Sequence, residues 1–123
     1  MIIALWIVQI LLALVFLMAG FMKTTKPKEA LQDKMAYVED FSQGTVRLIG
    51  ALEILAAIGL VLPVLTGVLP WLTPLAALGL VLTMVGAAIT HVRRGEYQMI
   101  VGNVALLALA AFVAYGRFIV VSV

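Results

Sequence analysis

The 123-residue chain contains no cysteine and a single histidine. The first absence excludes disulfide staples, thiolate nucleophiles, Cys-x-x-Cys redox pairs and cysteine metal ligands. The second excludes any metal or haem site that needs several histidines. Charge is also scarce: 11% of residues carry it, against about 25% in an ordinary soluble domain. The sequence holds no Gly-rich phosphate loop, no Ser/His/Asp arrangement and no paired metal ligands. What fills the chain is apolar. Hydrophobic residues make up 65% of it, and the mean hydropathy is +1.22. A core of this size could not hide so much apolar surface from water. A second apolar solvent is required, and a bilayer provides it.

The charge-free runs divide the chain. Residues 1–22 carry no charged side chain. A helix over them is about 33 Å long, enough for a hydrocarbon layer of about 30 Å. No basic residue precedes the run, so it reads as a retained first span rather than a secretory signal. Between Leu48 and Thr90 the only ionisable residue is Glu53. That stretch is too long for one span. Pro63, Gly67, Pro70 and Pro74 interrupt it where helices break. Spans are therefore expected at about 2–22, 46–64, 71–91 and 97–116, forming one transmembrane domain. The polar stretch from Lys23 to Thr45 places Leu31, Met35, Val38 and Phe41 on one helical face. Thr25 with Pro27 marks a helix start there and Gly44 a stop. The fold class this predicts is all-α: an integral membrane four-helix bundle, with a short amphipathic helix in the interface between the first and second spans.

Four spans put both termini on one side. Lys23, Lys26, Lys28, Lys34 and Arg47 belong to the first loop, Arg93 and Arg94 to the third, and Arg117 alone to the opposite side. The positive-inside rule puts the charged loops in the cytoplasm and both termini outside, in a multi-pass protein of a plasma or inner membrane. The lysines meet anionic lipid headgroups. They are too scattered to form a nucleic-acid surface.

An ionisable group within a membrane normally faces the protein interior and has a partner. Glu53 lies six positions past Arg47, about 9 Å deeper along a helix and about 120° around it. Lys23 closes the first span, His91 closes the third, and Asn103 lies at a similar depth on the fourth. Lys23, Arg47, Glu53, His91 and Asn103 thus gather in one leaflet, and His91 or Lys23 is the expected partner of Glu53. The far half offers only Gln9 and some threonines. Two readings follow. The cluster is polar glue between helices, or it binds the polar head of a lipophilic molecule whose tail lies between them. The small residues Gly50, Ala57, Gly79, Gly86 and Ala87 read as close helix packing.

Three motifs then carry a resemblance. Residues 16–23 (Phe-Leu-Met-Ala-Gly-Phe-Met-Lys) match a Phe-x-x-x-Gly-x-x-Lys ending of span one. Arg47-Leu48-Ile49-Gly50-Ala51-Leu52-Glu53 matches an Arg-x-x-Gly-x-x-Glu opening of span two. Gly86-Ala87 with His91 matches the close of span three. In this order the chain resembles the DoxX-like family of small four-span membrane proteins. The resemblance implies four helices in a membrane, and Lys23, Arg47, Glu53 and His91 as matching positions. It also implies an accessory role beside a membrane redox enzyme, with a quinone-like molecule as ligand. The alternative is a chaperone-like assembly or interaction protein with no ligand. A third reading is a small oligomeric transporter. Exposed small-residue faces favour a homo-oligomer.

Overall fold

The computed structural model describes residues 1–31, residue 35 and residues 41–122. Among them are α1 (Ile2–Thr25), α2 (Lys28–Leu31), α3 (Gln43–Thr66), α4 (Leu72–Arg94) and α5 (Tyr97–Tyr115). A π-turn, Gly116–Val120, continues α5. Four helices among the described residues are long and apolar enough to cross a membrane: α1, α3, α4, and α5 with its π-turn. The helices α1, α3 and α4 run three residues past the expected span limits at the end that carries the charged loops. The apolar run marks only the part of each helix that suits hydrocarbon, whereas caps decide where the backbone stops.

Those caps are local chemistry. Pro27 disfavours a helical residue before it, and Lys26 turns extended there, ending α1. Thr25 is thus the last residue of α1, not the start of the next helix. The Ser42 hydroxyl accepts from the Thr45 amide at 3.1 Å and caps α3. Gly44 lies inside α3 and stops nothing. Gly67 and Gly95 end α3 and α4 in the left-handed region, with φ of 75° and 71°. Of the expected interfacial face, Leu31 is buried with Val46, and Met22, Met35 and Phe41 pack beside them. Val38 lies outside the described residues.

The bundle is antiparallel. Helix α1 packs most extensively on α3 and α4 on α5, with α3 against α4 and α1 against α5 closing the ring. Each helix buries a single stripe. On α1 it is Leu5, Gln9, Leu12, Phe16, Gly20 and Lys23. On α3 it is Val46, Gly50, Glu53, Ala57, Leu60 and Pro63. These steps of three and four trace one helical face. The centre of the core is Leu12, Phe16, Leu60, Leu80, Met84 and Val113. The outward faces are apolar and open, with Ile3 73% and Val101 74% exposed. Hydrocarbon, not water, is the medium that such faces suit.

Glycine sets how closely α1 approaches α3. A Cβ on Gly20 would meet the Gly50 carbonyl at 2.5 Å, and one on Gly50 would meet the Lys23 Cβ at 2.7 Å. Pro63 ties α3 to its neighbours in another way. Proline has no N–H to offer the carbonyl four residues back. The Gly59 carbonyl instead accepts the Thr73 hydroxyl from α4 at 2.8 Å. One residue on, the Leu60 carbonyl accepts Gln9 Nε2 from α1 at 2.6 Å.

Candidate functional site

The buried stripes of α1 and α3 bring Lys23 and Glu53 face to face. Lys23 Nζ donates to Glu53 Oε1 at 2.6 Å, and both side chains are buried. Gly50 makes this possible, since the stem of Lys23 crosses the helix where Gly50 has no side chain. Of the two expected partners of Glu53, Lys23 is the one in contact. His91 turns elsewhere: its Nδ1 lies 2.9 Å from Glu96 Oε1, just past the end of α4. Arg94 joins the same carboxylate, with Nε at 3.2 Å. The His91 hydrogen bond, seconded by Arg94, holds the Glu96 carboxyl below the usual carboxylate range against an opposing push from burial. Glu96 therefore stays ionised at neutral pH and fixes one edge of the imidazole.

These groups share a cavity. Between α3 and α4 lies an opening of about 310 Å³ lined by Lys23, Phe41, Ile49, Glu53, Thr83, Met84, Gly86, Ala87, Thr90 and His91. Its volume is at the lower end of the range for small-molecule sites, about 300–1,000 Å³. Lys23, Glu53 and His91 supply its polar side, and nearly all the rest is apolar. Asn103 stands one layer behind. It is buried and its Nδ2 donates to Met84 Sδ at 3.5 Å. Arg47 is exposed at the start of α3 and does not line the cavity. Of the five sequence-selected residues, the structure thus gathers three around one opening, sets the fourth behind it and leaves the fifth outside.

Sequence reasoning missed three features. Glu96 does not stand out in the sequence, although a helix-ending His five residues earlier is in reach of it. Arg117 was counted as a flanking charge on the far side. It is 2% exposed, donates from Nε to Gln9 Oε1 at 2.8 Å, and stacks 5.3 Å from the Trp6 ring centroid. The signal was Gln9 itself, a buried-face amide that needs partners. Gly79 and Gly86 were read as close-packing positions. Nothing lies within 4 Å of a Cβ built on either, and they line open space instead. No group of three His, Cys, Asp or Glu capable of holding a metal occurs among the described residues.

Four apolar helices around a small set of buried polar pairs, one of them beside a lateral opening, define a small multi-pass membrane protein. The chain belongs to the DoxX-like family, whose model matches residues 7–113. No curated protein and no solved structure matches it.

Proposed function

We propose that this protein is an accessory subunit of a membrane redox system, and that it holds a quinone-like or other lipophilic ligand between α3 and α4. The observation that carries this reading is the cavity of about 310 Å³ with Lys23, Glu53 and His91 on its wall. A carbonyl head can accept hydrogen bonds from the lysine ammonium and the imidazole, while the remaining wall suits hydrocarbon. The Lys23–Glu53 pair brings its own counter-charge, so the site favours a neutral polar head over an ion. Asn103 supports Met84 at the back of the cavity, and Arg47 faces the headgroup layer where it meets lipid phosphate.

The test is direct. The protein is purified in native-lipid nanodiscs, its lipids are extracted, and bound lipophiles are identified by mass spectrometry. Affinity for a decyl-substituted benzoquinone is then measured for the wild type and for His91→Ala. A co-purifying lipophile and an affinity loss of about tenfold or more in His91→Ala are expected. No specific lipophile, together with unchanged affinity, would overturn the proposal.

A second reading, an assembly protein with no ligand, draws on the closure of Lys23 on Glu53 at 2.6 Å. On that reading the pair only fastens α1 to α3. Substitution there would then abolish partner capture or folding, with no small-molecule response to lose.

A further inference from the structure

The opening does not end at Glu53. A second cavity of about 320 Å³ lies further along the same two helices, sharing Ile49, Glu53 and Thr83 with the first. Beyond those shared residues its lining is Leu52, Ala56, Ala76, Gly79 and Leu80. Together the two cavities follow α4 from Ala76 to His91, a length of about 22 Å. Small residues keep this strip open. A Cβ on Gly79 or Gly86 would touch nothing within 4 Å. The threonines on the wall spend their hydroxyls on their own helix: Thr83 donates to the Gly79 carbonyl at 2.9 Å and Thr90 to the Gly86 carbonyl at 3.1 Å. The strip past Glu53 therefore presents no unmet polar group from them. It closes where α3 and α4 come together. There the Thr73 hydroxyl holds the Gly59 carbonyl, and a Cβ on Gly59 would lie 2.9 Å from that of Ala76.

The two cavities adjoin at Ile49, Glu53 and Thr83. Lys23 and His91 line only the first, and past the shared residues the second is walled by Leu52, Ala56, Ala76, Gly79 and Leu80. Resting on the ligand site proposed above, we infer that the ligand is an elongated head-and-tail lipophile rather than a compact ring. Its head lies beside Lys23, Glu53 and His91. Its tail runs along α4 past Gly79 and stops at the Gly59–Ala76 contact. Gly79 leaves the tail room to pass, and the Gly59–Ala76 contact sets the length the groove accepts.

The experiment compares two probes with one head, a tail-less benzoquinone and its decyl-substituted form, in phosphatidylcholine nanodiscs, corrected against protein-free discs. The variants are Gly79→Leu, which fills the groove beyond the head, and Gly102→Leu on α5, where a side chain also meets nothing within 4 Å but the groove is absent. Both exchange glycine for a better helix former, so both are expected to fold. The wild type is expected to bind the decyl probe at least about tenfold tighter than the tail-less one. Gly79→Leu removes most of that ratio, and Gly102→Leu keeps it. A wild-type affinity that ignores the tail overturns the inference, as does a ratio unchanged in Gly79→Leu; either leaves the head site standing. Failure of both probes to bind the wild type overturns the head site and the tail groove together.

Discussion

A lysine and a glutamate in contact within an apolar bundle make a conditional bond. Each charge is costly to remove from water, and only the partner offsets that cost. Removing one partner strands the other. Lys23→Met alone and Glu53→Leu alone are each expected to destabilise the bundle by about 3–5 kcal/mol. The double variant Lys23→Met/Glu53→Leu is expected to recover most of that loss, because apolar residues of similar volume replace a buried ion pair with little penalty. Reversible unfolding in mixed micelles measures all three; a double variant no better than the singles would contradict this account of the pair. The pairing was legible in the sequence up to a point. Glu53 stood alone in a long uncharged stretch, and lipid demands a partner, which narrowed the choice to Lys23 or His91. What the sequence could not show was the rotation of α4, which turns His91 toward Glu96. Arg117 stayed hidden for a related reason: a charge at a span end reads as solvated until the π-turn is seen to carry it inward.

Helix contacts in this protein are of two kinds. Where α1 meets α3, backbone lies on backbone, and a methyl group on Gly20 would run into the Gly50 carbonyl. Gly20→Ala is therefore expected to cost about 1–3 kcal/mol through overpacking, and to loosen the Lys23–Glu53 pair one turn further on. Gly102→Ala, which meets nothing within 4 Å, should be neutral or stabilising by up to about 1 kcal/mol. Thermal unfolding of the two variants side by side checks the contrast, and equal stabilities would remove glycine from the account of this interface. Where α3 meets α4, Gly79 and Gly86 do the opposite and leave a groove, which ends where Gly59 again packs closely on Ala76. Hydropathy located the four helices because a charge-free run reports its own length. It could not tell the packed glycines from the open ones, since both recur at helical spacing. Only the neighbour across the gap distinguishes Gly50 from Gly79.

Taken as a whole, the molecule has one charged end and one nearly uncharged end. Lysine and arginine concentrate from the end of α1 to the start of α3 and in the last turn of α4. The positive-inside rule predicts that both connections lie in the cytoplasm, and this orientation is open to a direct test. Because the chain has no cysteine, single reporters can be introduced without a background. In intact cells, Ser42→Cys and Arg93→Cys are expected to resist a membrane-impermeant maleimide and Thr66→Cys to react with it; the reverse pattern would invert the proposed orientation. The far end of the bundle carries its own consequence. Gln9 lies on α1 and Arg117 on the π-turn after α5, 108 positions later, yet the two meet at 2.8 Å. During synthesis the amide oxygen of Gln9 must wait in the membrane until α5 and its π-turn have emerged. Arrival of that π-turn supplies its donor, so the turn after α5 acts as a latch on α1.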